Sequence, residues 1–284
     1  MITYPDDIYA SHFAEVNGAL LHYKRAGSGP PVVLLHGYPE TWYTWRHTVA
    51  ALAPYFTVYA PDFRGWGQSE AKGPYALRTM VEDTIALLDH WKLPQANIVG
   101  HDWGGAVTFA LRKAAPQRLA KIVTINMPVR KFDVTKPLHF YVFNMPFVAE
   151  ILMGLASDWV VKTILRWWAH NQAAFSPRIV RIYQEAARKP GANAASRAYY
   201  RNTFRSALLR RYQYGIGEKQ PPATHFDWLC LWGADDPVSP MKNVEYFKQD
   251  APGVPVELIP GAGHFPQEEQ PEAFNRALLS FLRQ

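Results

Sequence analysis

Apolar positions over the first 128 residues follow two alternating rhythms. Residues 11–26 hold two short strand-like runs split by Asn17-Gly18, a strong hairpin turn. Pro31-Val32-Val33-Leu34-Leu35, Phe56-Thr57-Val58-Tyr59-Ala60, Ile98-Val99-Gly100 and Lys121-Ile122-Val123-Thr124-Ile125-Asn126 are near-continuous apolar runs of the kind a parallel sheet buries on both faces. Between them apolar residues recur at helical spacing: Trp42, Trp45, Val49, Leu52; then Met80, Ile85, Leu88; then Ala106, Phe109, Ala110. From about 129 to 222 the strand rhythm disappears. Val160, Ile164, Trp167 and Trp168, then Ile179, Ile182 and Tyr183, predict four or so helices, punctuated by Pro177 and Pro190-Gly191 and closed by Pro221-Pro222. Strands then return at Phe226–Trp232 and Val256–Ile259, each followed by a helix, the last through Phe274, Leu278 and Phe281. The pattern predicts an α/β fold with a mostly parallel sheet, helices on both faces and an inserted all-helical cap. Its parts are a first core segment 1–128, a cap 129–222 and a second core segment 223–284.

Composition changes this picture little. At 284 residues, 48% apolar and 14% aromatic, the chain can bury a full core. It has no run of 18 apolar residues, and Met1-Ile2-Thr3-Tyr4-Pro5-Asp6-Asp7 lacks a basic flank leading into an apolar stretch. The expectation is a cytoplasmic protein that makes no membrane contact. The single cysteine, Cys230, lies inside a predicted strand and reads as a buried filler. Charge is more informative. Residues 130–222 carry 15 Lys and Arg against 5 Asp and Glu, so with a net +6 the remainder of the chain is net negative by 4. These basic residues sit at helical spacing among aliphatics, which favours a solvated helix face over a nucleic-acid surface. The asymmetry marks the cap as a separate unit.

The chemistry centres on Gly100-His101-Asp102-Trp103-Gly104-Gly105, where a strand meets a helix through a very tight turn. In the pattern Gly-x-nucleophile-x-Gly the glycines let strand and helix approach closely enough to hold the apex residue strained and exposed. The apex here is Asp102, where serine is usual. An aspartate nucleophile needs a base and an acid to orient it, following in the order nucleophile, acid, histidine. Gly233-Ala234-Asp235-Asp236 and Gly261-Ala262-Gly263-His264 both follow predicted strands, whose carboxyl ends collect ligands in such sheets. Asp236 fits the acid better than Asp235, and His264 fits the base. His101 should point away from the nucleophile, since neighbouring positions at a strand end face opposite sides. His22 and His90 read as structural or exposed. The oxyanion hole is expected from the N–H of Trp103, next after the nucleophile, and that of Tyr38 in His36-Gly37-Tyr38-Pro39, where Pro39 suggests a cis bond.

With these loops in order, the chain resembles the α/β-hydrolase fold, and within it the epoxide hydrolases, over nearly its whole length. The resemblance implies two-step hydrolysis through an ester on Asp102, with no cofactor and no metal. It also implies two cap donors that hold the ring oxygen as it opens. Ala198-Tyr199-Tyr200-Arg201 puts Tyr200 at one of these positions. In Leu138-His139-Phe140-Tyr141 the other falls on His139, where most members carry tyrosine; a minority with a His/Tyr pair is similar. Tyr141 is the alternative second donor. Trp103, Phe140, Phe143 and Tyr199 are the expected substrate-binding residues, and with Trp167 and Trp168 their aromatic character suggests an apolar epoxide.

The same aspartyl ester serves haloalkane dehalogenases, which this chain resembles in its Asp-Trp elbow. They usually carry Asn after His-Gly, and Tyr38 stands there. Fluoroacetate dehalogenases share a cap histidine but pair it with Arg after the nucleophile and Trp after the histidine, where this chain has Trp103 and Phe140. A binding protein on this fold would be expected to lack a triad member. The expected partners are therefore a small-molecule epoxide and water, with no nucleic acid, acting as a monomer or homodimer.

Overall fold

The structure, a computed structural model, describes residues 8–129, 138–145, 147–208 and 227–284, without the side chains of 138, 140 and 204–208. It opens with a hairpin of β1 (Ser11–Val16) and β2 (Ala19–Ala26), whose turn residues Asn17 and Gly18 both have positive φ, 46° and 73°. That pairing matches the twist of the two strands and is the reason Asn-Gly marks hairpins. β3 (Pro31–Leu35), β4 (Thr57–Pro61), β5 (Ala96–His101), β6 (Leu119–Ile125), β7 (Asp227–Gly233) and β8 (Val256–Ile259) complete one eight-stranded sheet. Its order is β1-β2-β4-β3-β5-β6-β7-β8, antiparallel only where β2 meets β1 and β4. The chain thus has the mostly parallel α/β architecture its apolar rhythm predicts.

The helix expected from Trp42 begins instead as a 3₁₀ turn, Trp42–Trp45, before α1 (Arg46–Leu52). Residues three apart eclipse in a 3₁₀ turn, and both Trp42 and Trp45 are fully buried by it. α2 (Leu77–His90) packs on α3 (Trp103–Ala114) in one helical layer. Between β6 and β7 the described residues form only helices: α4 (Leu138–Asn144), α5 (Val148–Glu150) running into a π turn, α6 (Ser157–Trp168), α7 (Pro177–Arg188) and α8 (Ala192–Leu208). Pro177 opens α7 at a position whose N–H has no intrahelical partner. The expected cap limits near 129 and 222, including Pro221-Pro222, adjoin residues 130–137 and 209–226, outside the described part. Beyond β7 come α9 (Met241–Asp250), α10 (Pro266–Glu269) and α11 (Pro271–Leu282), the last packed on α1 in the other helical layer.

The register sets the site. Leu35 pairs with Gly100, Gly100 with Thr124, Ile125 with Leu231, and Gly233 with Ile259, so the parallel strands end level with one another. The loops after β3, β5, β6, β7 and β8 therefore open on one edge of the sheet. Among the described residues no helix is long and apolar enough to cross a membrane, and no group of three or more His, Cys, Asp or Glu side chains could hold a metal.

Candidate active site

Asp102 sits between β5 and α3 with φ 50° and ψ −112°, a conformation non-glycine residues rarely adopt. The surrounding backbone imposes it: Asp102 N–H donates to Ile125 O (3.3 Å), Gly104 N–H to His36 O (3.0 Å) and Ala106 N–H to Asp102 O (3.0 Å). Both flanking glycines are obligatory here. A Cβ on Gly100 would lie 2.2 Å from Gly104 O, and one on Gly104 only 2.1 Å from Leu35 O. The strained apex holds a carboxylate whose Oδ1 accepts the Tyr38 N–H at 3.0 Å. Trp103 opens α3, so its N–H is among the helix-terminal donors without an intrahelical partner.

His264, at the end of the loop after β8, has Nε2 3.7 Å from Asp102 Oδ2 and Nδ1 2.8 Å from Asp236 Oδ2. Asp235 takes no part in this; its Oδ2 accepts the Gly261 N–H. Asp236 is fully engaged: Oδ1 accepts from Val238 N (2.7 Å) and Ser239 N (2.9 Å), and Oδ2 accepts from Asn126 Nδ2 (2.5 Å) as well as facing His264. Burial alone would strip the proton from His264, but Asp236 and Asp102 outweigh it and hold its pKa at about 10. Burial pushes the Asp102 carboxyl upward, and the nearby His264, with the Tyr38 N–H, reverses this and keeps it below the usual range. The resting pair is a carboxylate facing an imidazolium.

Two supporting residues, Asn126 and Glu40, escaped the sequence reading, as did the links that His101 makes. Asn126, at φ 50° just past β6, holds Asp236, donates to Gly263 O (3.1 Å) and accepts Gly233 N–H (3.0 Å). Its place at a strand end was the available signal. Glu40, 2% exposed, accepts from Gly37 N (2.8 Å), Thr44 Oγ1 (2.6 Å) and Gln267 Nε2 (2.8 Å), and so shapes the oxyanion loop, in which the Tyr38–Pro39 bond is cis. His101 joins this loop to the base: Nδ1 lies 2.7 Å from Glu40 Oε2 and Nε2 2.7 Å from His264 O. It is directed away from the nucleophile, as strand alternation requires, yet it sits beneath the base. His22 is buried against Asp62 (2.8 Å), and His90 is exposed at the end of α2.

The opposite wall comes from the cap. Tyr200 on α8, 2% exposed, stands edge-on to Trp103 (5.3 Å between ring centres) and Tyr38 (5.6 Å). His139 on α4 lies 4.4 Å from the Trp168 ring and 5.9 Å from Tyr200. Burial drives its pKa down to about 4 against the pull of Asp102, so it is a neutral imidazole. Burial pushes the Tyr200 phenol well up, and the Asp102 charge pushes the same way. Tyr141, by contrast, is 41% exposed. Phe143 packs edge-on to Tyr38 (5.8 Å) and beside Tyr200 (5.1 Å). The Phe140 side chain lies outside the described part.

Tyr199 corrects an expectation. It is fully buried behind Trp103 among Trp66 and Tyr75, with its hydroxyl donated to Arg64 O (3.2 Å), and so it backs the wall instead of facing a substrate. The consecutive tyrosines 199 and 200 point to different sides of α8, which the aromatic tally did not separate. Trp168 stands edge-on to His264 (5.3 Å) while contacting His139.

Comparison with known proteins places this geometry. A family model described as alpha/beta hydrolase fold matches residues 30–271. The chain is 29% identical to the AB hydrolase superfamily protein YfhM of Bacillus subtilis, over 95% of this chain and 97% of that one. A stretch of 99 residues, 34% of this chain and 35% of the relative, is 50% identical to the soluble epoxide hydrolase of Corynebacterium sp. strain C12. The crystal structure of epoxide hydrolase VrEH1 from Vigna radiata is similar with a TM-score of 0.83 and 26% identity, over 99% of both chains.

Proposed function

This chain belongs to the α/β-hydrolase fold family, and on that premise we propose that it hydrolyses apolar epoxides to vicinal diols through an ester on Asp102. The observation that carries the reading is the charge layout of the pocket. A carboxylate nucleophile with its base and acid occupies the core side, and two neutral hydrogen-bond donors, His139 and Tyr200, occupy the cap side within reach of its charge. Epoxide opening needs that layout, because the ring oxygen leaves as an alkoxide and must be met by donors. The similarity to the Corynebacterium and Vigna radiata enzymes supports the same reading.

The first step forms a bond from Asp102 Oδ2 to one ring carbon while that carbon's bond to the ring oxygen breaks and its electron pair leaves with the oxygen as an alkoxide. Oδ1 stays on the Tyr38 N–H and becomes the ester carbonyl. The alkoxide takes a proton from the cap pair. Esterification removes the Asp102 charge that helps hold the proton on His264, so His264 restores the proton to the cap pair and becomes a free base. In the second step His264, oriented by Asp236, takes a proton from water as the oxygen adds to the Asp102 carboxyl carbon. The tetrahedral oxyanion forms at Oδ1 on the N–H groups of Tyr38 and Trp103. Collapse expels the second hydroxyl of the diol and restores the carboxylate and imidazolium. Asp suits this chemistry where Ser does not, since the carbonyl that is hydrolysed belongs to the enzyme.

Haloalkane hydrolysis through the same ester is disfavoured by Tyr38, which stands after His36-Gly37 where the dehalogenases this chain resembles usually carry Asn. Turnover of styrene oxide and of a 1-haloalkane by wild type and Asp102→Ala separates these readings. Diol from the epoxide, lost in Asp102→Ala, is expected; diol formation undiminished in Asp102→Ala overturns the proposal.

A further inference from the structure

The three consecutive backbone N–H groups around the base all leave the loop toward the cap or toward one carboxylate that also grips the cap. His264 N–H donates to Trp168 O at 2.8 Å. Gly263 N–H donates to Glu269 Oε2 at 2.9 Å, and Phe265 N–H to Glu269 Oε1 at 3.0 Å. The same Glu269 Oε2 accepts the Asn171 N–H at 2.7 Å, a third backbone donor. Trp168, His170 and Asn171 form the turn that leaves α6, and Asn171 Nδ2 closes the arrangement on Glu269 O at 3.2 Å. The approach is backbone against backbone: a Cβ on Gly263 would lie 2.5 Å from His170 N and 2.6 Å from Trp168 O. Glu269 itself is 3% exposed, at the end of α10.

We infer that Glu269 is a positioning residue for the second half-reaction, locking the base loop to the cap turn so that His264 stands over the Asp102 ester. The inference rests on the ester reading above. Glu269 grips backbone donors on both sides of the imidazole, so its effect reaches the chemistry only through the placement of His264. Alkylation needs Asp102, His139 and Tyr200 and leaves that placement untested; hydrolysis depends on it. Displacement of a catalytic group by about 1 Å costs on the order of a hundredfold in rate. A carboxylate is the group the site requires, because only acceptors can meet three converging N–H donors. An amide of the same size offers one oxygen and turns its own N–H₂ onto the remaining donors.

The test is Glu269→Gln with a styrene-oxide-type substrate, alongside His264→Gln and wild type. When ester hydrolysis alone slows, kcat and KM fall together while kcat/KM, set by binding and alkylation, is kept. The expected fall in both is about ten- to a hundredfold, with the alkylated protein accumulating during turnover as an added substrate mass on the intact chain. Glu269→Asp, which keeps the carboxylate on a shorter arm, is expected to show the same split at a smaller size, and it carries the test if the glutamine variant does not fold. A purely structural role would instead lower kcat at constant KM, with no adduct, through a smaller active fraction. That result, or wild-type kcat in Glu269→Gln, overturns the inference provided His264→Gln traps the adduct. Absence of any adduct in His264→Gln overturns the ester reading itself.

Discussion

On the core side of the pocket the charged side chains are held by fixed partners, with His264 Nε2 alone left 3.7 Å from Asp102: Asp236 holds four bonds, Asp102 accepts an N–H, and Glu40 ties three loops together. The cap side contributes rings and neutral groups. His139, Tyr200, Phe143 and Trp168 meet edge to face, and burial keeps the two titratable members uncharged. The difference separates two tasks. In the proposed cycle, the groups that change charge stand where hydrogen bonds fix their geometry, and the groups that only lend a proton stand where burial holds it on them. Charged groups can be buried only when fully partnered, which is why the core half spends so many backbone amides on three side chains.

The largest expected effect comes from breaking the charged half. Asp236→Asn leaves His264 without its orienting charge, and turnover should fall by about a thousand- to ten-thousandfold. Alkylation of Asp102 should survive, seen as a stoichiometric adduct by intact-protein mass. Loss of the adduct along with turnover would mean that the acid serves the first step too.

Breaking the neutral half should act on the other step. Tyr200→Phe and His139→Phe each remove one donor from the opening ring, with an expected loss in kcat/KM of about ten- to a hundredfold. Pre-steady-state alkylation rates check it. Full activity in His139→Phe together with loss in Tyr141→Phe would move the second donor to Tyr141.

A pH series sharpens the comparison. His139, with a pKa of about 4, stays neutral in the folded protein while the unfolded chain takes up a proton near its ordinary 6.5. The unfolded state then binds more protons, so stability falls as pH drops from about 6.5 toward 4, and the part due to His139 disappears in His139→Phe. Thermal melts across that range measure it. kcat/KM should stay flat from about pH 5 to 8, because neither Asp102 nor His139 titrates there; a midpoint near 6.5 that His139→Phe abolishes would contradict a neutral donor.

The smallest effect concerns the seam between the halves. Tyr183 of α7 donates to Glu268 Oε1 at 2.7 Å, and Arg46 of α1 holds the same oxygen at 2.6 Å. Tyr183→Phe should lower Tm by about 2–4 °C, as the loss of about 1 kcal/mol implies for a chain of this size, with kcat per folded molecule unchanged.

The two halves also differed in how far the sequence displayed them. Asp102, His264 and Asp236 lie at strand ends, and the elbow glycines are forced because a Cβ on Gly100 or Gly104 would lie 2.2 or 2.1 Å from a neighbouring carbonyl oxygen, so local spacing carries their geometry. The hairpin at Asn17-Gly18 was legible for the same reason. Asn126, Glu40 and Glu269 each tie their loop to a partner far along the chain, Asp236, Gln267 and Asn171 in turn, and no local rhythm encodes a pairing of that length. Cap residues were legible as aromatic but not as facing: Tyr199 and Tyr200 are neighbours in sequence, and only packing against Trp66 and Tyr75 decides which one turns away. The start of the helix at Trp42 shows the same limit, since helical spacing does not distinguish a 3₁₀ turn from an α turn when tertiary burial selects between them.

The central claim is that the core carboxylate becomes an ester and is itself hydrolysed. Turnover of an epoxide in ¹⁸O-water tests it most directly, with the peptide carrying Asp102 read by mass spectrometry. The account predicts an unlabelled diol from a single turnover and ¹⁸O in the Asp102 carboxylate after several. A diol labelled in the first turnover, with no label in Asp102, would contradict it.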